Sequence, residues 1–233
     1  MTETDYAALY RESRARIAAL VRAVSAQQRD RIVPGCPRWS VADTVAHLAA
    51  VATDVASGLL TTVPTDEQTA EQVAQRRGRP LDAVLGEWER AGNRAEQALA
   101  AREIPVAMVH DVLTHEADIR GALNAGRPPK PAWSASLDAM SCQLRHLEHC
   151  GTLIIHFGTI HLGPARTGPR SVTVGSGEPA TTVDVDAYEF WRALVGRRSR
   201  AQMAAWQWSA DPAPYLRAIP VFGPTEADLT EPE

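Results

Sequence analysis

Lysine is almost absent from this chain of 233 residues: Lys130 is the only one, and the remaining cations are arginines. Such a skew reads as a GC-rich genome rather than a phosphate-binding design. A formal net charge of −4 gives no basic footprint for nucleic acid. Cysteine is scarce as well. Cys36, Cys142 and Cys150 are odd in number and lack CxxC spacing. That argues against a disulfide framework and for free thiols in a reduced, cytoplasmic protein. No run of about 18 apolar residues occurs, so no membrane span is expected. The polar, acidic start (Thr2, Glu3, Asp5) carries no signal-peptide core. Neither a GxGxxG opening a helix nor a glycine–lysine–serine/threonine phosphate loop is present, and nucleotide binding has no support.

What is present is an ordinary globular composition, 45% hydrophobic, with helical texture first and strand texture later. Apolar residues recur at helical spacing over 4–24 (Tyr6, Leu9, Ile17, Leu20, Val21, Val24). A loop with Pro34, Gly35 and Pro37 follows. Ser40 then reads as an N-cap, with Asp43 as its capping-box acid and Trp39 as the start of a hydrophobic staple, for a helix over about 41–60. Residues 62–80 read as a surface loop with some helical turn. Further helices fit 81–102, 105–124, with Pro105 in its first turn and Gly126, Pro128 and Pro129 as its stop, and 134–149.

Beyond that, 152–157, 171–174 and 181–185 are β-branched and alternate, as strands do. Helical pattern returns at 187–195, 199–207 and 212–219. Helices followed by mixed strands predict an α+β protein: a helical bundle over 1–150, a small α+β domain over 151–225, and an acidic, disordered tail over 226–233.

Three residues carry the candidate chemistry. His47 lies in the second helix; Asp111 and His115 lie four apart in the fourth, hence on one face. A single histidine is more often a hydrogen-bonded core residue than a ligand. An apolar helix face that holds both a carboxylate and an imidazole needs a reason, because burying them unpaired costs several kcal/mol. A metal is one reason, and a His115–Asp111 hydrogen bond is the simpler one. His110 points about 140° away from His115 at ~100° per residue and cannot share a ligand with it. His115-Glu116-Ala117-Asp118-Ile119 starts like HExxH but ends in Ile119, so a zinc-protease reading fails. Asp118 and Arg120 fit either an outer set that orients the ligands or a helix-end ion pair.

Cys142, His146 and Cys150 form a second stripe at four-residue steps, with His149 adjacent. Buried cysteine on a packing face is the simpler account than a metal or a nucleophile pair. Arg197 and Arg198, after Gly196, fit a carboxylate clamp or a solvated turn.

Three stretches together resemble one family. Cys36 to Leu48 (CPRWSVADTVAHL) resembles the N-terminal signature of the mycothiol-dependent maleylpyruvate isomerases. Asp111 to Ala122 (DVLTHEADIRGA) resembles their fourth-helix signature. Tyr188 to Arg200 (YEFWRALVGRRSR), with Tyr215-Leu216 and Phe222-Gly223, looks like their C-terminal domain. The likeness spans about nine-tenths of the chain, and its motifs are specific together and weak apart.

It implies a DinB-like four-helix bundle with a divalent metal, usually zinc, followed by a small sterol-carrier-like α/β domain. His47, Asp111 and His115 match the family's metal ligands, although the better-known isomerases carry Glu where this chain has Asp111. Arg197 loosely matches an arginine that handles substrate carboxylate. The implied cofactors are the metal and mycothiol, and the implied partners are a small electrophile and that low-molecular-weight thiol. A monomer or homodimer is expected. The implied activity is S-transfer or cis–trans isomerisation of a maleylpyruvate-like substrate by an activated thiolate. The competing readings are a non-catalytic binding or resistance protein and a thiol-independent tailoring enzyme.

Overall fold

Apolar periodicity and well-formed caps explain most of the helices. A computed structural model describes residues 4–60, 64–141, 144, 147, 150–161, 167–175 and 180–232. These fall into two compact units, residues 1–132 with 231–233, and residues 133–230. The units divide inside a helix at Ala132/Trp133, where the sequence reading drew its domain boundary at 150.

The first unit contains α1 (Tyr6–Ala23), α2 (Ala26–Arg29), β1 (Ile32–Val33), β2 (Cys36–Ser40), α3 (Val41–Ala56), α4 (Asp66–Ala74), α5 (Leu81–Ala100) and α6 (Ala107–Leu123). The long helices form a square: α1 packs on α5 and α6, and α3 packs on the same two. Ile17 and Val21 of α1, Ala49 and Ala52 of α3, Ala95 of α5 and Val109 and Ile119 of α6 are fully buried in the core. Buried polar tips are paired across it: Trp88 Nε1 donates to Tyr10 Oη at 2.9 Å. Gly92 makes room for an α1 side chain: a Cβ there would lie 2.8 Å from Arg14 Nε and would displace that guanidinium.

Ser40 caps α3 as expected. Its Oγ accepts from Asp43 N at 3.0 Å, and Asp43 Oδ2 accepts from Ser40 N at 3.1 Å, a box worth about 1 kcal/mol. The Trp39 ring, expected to start a staple, lies against the His47 ring, centroids 4.8 Å apart and tilted by 35°. The loop with Pro34, Gly35 and Pro37 closes a short antiparallel hairpin, β1 on β2, so this unit is not purely helical. The stretch expected to be mostly loop holds the nine-residue α4, capped by Thr65 and Gln68. Helix α6 ends at Asn124 in the left-handed region (φ 54°), ahead of the Gly126 stop.

An ion cluster anchors the loop after α4. Glu87 of α5 accepts from Arg76 Nε at 3.0 Å, Arg79 Nη1 at 2.6 Å and Thr53 Oγ1 at 3.1 Å. Burial alone would raise this carboxyl, but the two guanidiniums outweigh it and hold it below its ordinary 4.5. The unfolded chain therefore takes up a proton at higher pH than the native one. The cluster's stabilisation is complete above the ordinary value and is lost as pH falls through the lower native value. The expected result is that urea midpoints of wild type and Glu87→Gln converge between about pH 5 and pH 3. A constant gap over that range refutes this account.

The second unit holds most of α7 (Lys130–Ser141), then β3 (Thr152–His161), β4 (Thr167–Val174), β5 (Ala180–Asp184), α8 (Ala187–Leu194), α9 (Arg200–Ala204) and β6 (Gln207–Trp208). The sheet order is β4-β3-β5-β6, with β3 parallel to β5 and the other pairs antiparallel. Leu153, Ile155 and Phe157 alternate into the core, and Phe190, Trp191 and Leu194 of α8 are buried with them. The Phe157 and Phe190 rings pack edge-on at 5.3 Å. Trp191 Nε1 donates to Ser136 Oγ of α7 at 3.1 Å.

The α+β class expected from the sequence is the class observed. Two further local readings are corrected. Residues 212–219 form turns rather than a helix. The tail is not loose: Leu229 N donates to Gln202 Oε1 at 3.1 Å, Gln202 Nε2 returns a bond to Leu229 O at 2.8 Å, and Ser199 Oγ bonds Asp228.

Candidate metal centre

Capping sets the position of His47. The box at Ser40 starts α3 abruptly after β2, which places His47 on the second turn, facing α6. On α6, Asp111, His115 and Asp118 recur at helical steps of four and three and share one face. The packing of α3 on α6 brings the two sets together. His47 Nε2 lies 3.5 Å from Asp111 Oδ2, and His115 Nε2 lies 3.4 Å from Asp111 Oδ1. One donor atom from each of the three lies within 4.8 Å of the other two. The imidazole rings meet nearly edge to face at 5.2 Å, and the Trp39 ring covers both, 4.8 Å from His47 and 6.0 Å from His115.

These separations distinguish a ligand set from a hydrogen-bonded trio. Good N–H···O bonds fall at 2.7–3.2 Å, and both contacts are longer. Tetrahedral zinc with bonds of about 2.0–2.1 Å places neighbouring ligand atoms about 3.3–3.4 Å apart, and each imidazole nitrogen lies about that far from one carboxylate oxygen, His115 from Oδ1 and His47 from Oδ2. Asp111 Oδ2 and His47 Nδ1 are buried and have no hydrogen-bond partner among the described residues. The donor set therefore fits a divalent cation. Asp111 reaches both imidazoles, one through each carboxylate oxygen.

The electrostatics follow from the same proximity. Burial would raise the Asp111 carboxyl, but His115 and His47 beside it outweigh that and hold it far below the usual carboxylate range. Burial would lower His115; Asp111 and Asp118 overcome this and raise it well above the ordinary imidazole value. A cation bound there would compete with protons for the same donor atoms.

Asp118, with a fully buried side chain, faces the other nitrogen of His115, Nδ1 to Oδ2 at 3.1 Å. In the neutral imidazole, Nδ1–H donating to Asp118 leaves the Nε2 lone pair aimed at Asp111 and His47. Arg120 serves a different group: its Nε donates to Glu116 Oε1 at 3.1 Å. His110 turns toward Tyr6, its ring 6.2 Å from the tyrosine ring, and burial pushes it down to about 4.

Arg197 lies in the second unit, half-buried, with Nη1 donating to Val195 O at 2.9 Å. Its neighbour Arg198 is buried and bound through Nε and Nη2 to both oxygens of Glu189, at 2.6 and 2.8 Å. Cys142, His146 and His149 lie outside the described residues. Cys150 Sγ donates to Pro214 O at 3.5 Å in the second unit. The sequence reading missed three participants: Trp39 as a wall, Cys36 beside Asp118, and Glu116 as an anchor. Only the proximity of Trp39 and Cys36 to the capping box hinted at the first two.

The chain resembles known proteins in sequence profile and in fold. The sequence profile of the mycothiol maleylpyruvate isomerase N-terminal domain matches residues 10–144. No curated protein sequence matches the chain. Two solved structures share its fold. A crystal structure of a histidine-to-alanine variant of the mycothiol-dependent maleylpyruvate isomerase superposes with a TM-score of 0.54 at 13% identity, over 88% of this chain and 92% of that one. A further crystal structure of that isomerase superposes with a TM-score of 0.51 at 14% identity, over the same shares. At those identities the structures establish the fold alone. The profile covers more than half of the chain and all three clustered residues, and by it the chain belongs to the mycothiol maleylpyruvate isomerase N-terminal domain family.

Proposed function

We propose that the chain is a thiol-dependent enzyme that holds a divalent cation, zinc by its donor set, on His47, Asp111 and His115, and that its reaction is cis–trans isomerisation or S-transfer on a small, maleylpyruvate-like electrophile with mycothiol as the thiol. The observation that carries this is the convergence of two imidazoles and one carboxylate from α3 and α6, with contacts of 3.4 and 3.5 Å. Three protein ligands leave a coordination position open. When bound there, such a cation supplies Lewis acidity, keeping a small thiol in its nucleophilic thiolate form near neutral pH.

The protein's own groups account for the rest. Asp118 holds the proton of His115 on Nδ1, so that Nε2 keeps its lone pair. Trp39 closes one side of the cluster and excludes water. Arg197, rather than the ion-paired Arg198, is the proposed partner of a substrate carboxylate. For an isomerase, the thiolate adds to the conjugated double bond and the electron pair moves onto the carbonyl. The new single bond rotates, and expulsion of the thiolate restores the alkene. For a transferase, protonation of the adduct ends the cycle. A reducing, cytoplasmic setting suits both the thiol and the protein's cysteines.

Incubation of zinc-loaded protein with mycothiol and a panel of activated alkenes, epoxides and cis-enediones, read by mass spectrometry and chromatography, is the test. Isomer formed with catalytic thiol identifies an isomerase, and accumulating thioether identifies a transferase. In either case Arg197→Ala is expected to raise KM for carboxylate-bearing substrates. No thiol-dependent turnover by a zinc-loaded protein overturns the proposal in favour of a binding protein.

A further inference from the structure

We propose that Cys36, Nδ1 of His115 and Asp118 form a second cation site, suited to a thiophilic divalent ion such as cadmium, that competes with the first site for His115. The competition rests on the metal reading of His47, Asp111 and His115 given above; the inner site itself does not.

The three residues offer a sulfur, a nitrogen and an oxygen within 4.8 Å of one another. Cys36 Sγ lies 3.9 Å from Asp118 Oδ2, and the same oxygen lies 3.1 Å from His115 Nδ1. Around four-coordinate zinc, with metal–sulfur and metal–oxygen bonds of about 2.3 and 2.0 Å, the sulfur–oxygen separation is about 3.5 Å and the nitrogen–oxygen one about 3.3 Å, and a larger ion widens both. Shifts of a few tenths of an ångström meet both. Cys36 opens β2, where it pairs with Val33 across the hairpin. The hairpin strand β1 packs on α6, which keeps the sulfur beside the helix.

The chemistry separates the two sets. The outer set, two imidazoles and a carboxylate, suits zinc; the inner set adds a thiolate, the donor that soft ions select. A neutral imidazole has one lone pair. Occupation of the outer set requires the proton on Nδ1, and occupation of the inner set requires it on Nε2. Filling the inner site releases the Cys36 thiol proton to solvent and moves the imidazole proton to Nε2, which withdraws His115 from the outer set. One histidine thus makes the two occupancies exclusive.

The metal-free full chain is titrated with cadmium chloride, and thiolate-to-cadmium charge transfer is followed in the near ultraviolet. The expected result is a band that saturates at one equivalent, is lost in Cys36→Ser and persists in His47→Ala, with Asp118→Asn weakening cadmium roughly tenfold or more. Zinc-loaded protein is expected to release zinc as the band grows. A band of equal amplitude in folded Cys36→Ser, checked by circular dichroism, assigns the sulfur to another cysteine and overturns the proposal. Absence of the band does the same, and so does its loss in His47→Ala, which would put Cys36 in the outer set. A wild type that takes up cadmium on Cys36 yet never binds zinc defeats the outer reading alone.

Discussion

Purified His115→Ala is expected to contain almost no zinc and to lose thiol-dependent turnover, while remaining folded. Loss of an outer partner of a metal-binding histidine already costs about 10–100-fold in affinity, so loss of the ligand itself is expected to cost roughly 100-fold or more. The fold survives because the core of the bundle is apolar and lies elsewhere: Val109, Val112 and Ile119 of α6 are fully buried against the neighbouring helices. Truncation of a buried ring does leave a void and removes the partner of Asp118. Asp111→Asn therefore accompanies it, since it keeps the side-chain volume, sits where 31% of the side chain is still exposed and removes only the anionic oxygen. Elemental analysis after dialysis, with circular dichroism as the folding control, reads both variants. Zinc equal to wild type in two folded variants would show that the three residues do not hold the ion.

Glu116→Ala is expected to be the most destabilising single change near the site, by about 3 kcal/mol. Glu116 is 1% exposed and accepts from Ser13 Oγ at 2.7 Å, from Arg16 Nε and Nη2 at 2.8 Å each, and from Arg120 Nε at 3.1 Å. Two of those partners come from α1 and one from its own helix, so the carboxylate pins α1 to α6 one residue after His115. Removing one member of a buried ion pair costs about 3–5 kcal/mol, because the remaining charge stays desolvated. Arg16 keeps 23% of its side chain exposed, which relieves part of that and favours the lower end. For a chain of this size the loss lowers Tm by roughly 6–12 °C at about 2–4 °C per kcal/mol. A calorimetric Tm within about 2 °C of wild type would mean that the network adds nothing beyond packing.

The two effects are separable by design. His115→Ala should abolish metal, while the void it leaves and the loss of the His115–Asp118 contact lower Tm of the metal-free protein. Glu116→Ala should lower Tm of the metal-free protein and weaken zinc only through the altered seating of α6. A Glu116→Ala protein with normal stability but no zinc would transfer Glu116 from anchoring the bundle to holding the site.

Much of this molecule is written locally. Ser40 and Asp43 mark the start of α3 because a capping box needs only residues three apart. Asp111 and His115 share a face because the helix repeats every 3.6 residues. The α+β order follows from where a period of 3.6 gives way to a period of two. All of these are short-range rules, and any chain with those letters obeys them. Reading alone failed where several short-range signals competed. The polar stretch after Leu60 hid α4, whose capping box at Thr65 and Gln68 was available in the letters but was overridden by the surrounding polarity. Trp39 was assigned to a staple because spacing alone does not reveal which neighbour a ring will lie against.

The site itself was decided by packing. That His47 meets Asp111 depends on α3 lying beside α6. That Glu116 is held by Ser13 and Arg16 depends on chain segments 103 and 100 residues away in sequence, and Cys36 reaches Asp118 across 82. The letters determined which helices form and which side chains share a face, because hydrogen bonding and periodicity act within a few residues. Only the burial of four apolar stripes against one another, a collective property with no local code, decided which of those faces look at each other and so which donors can share an ion.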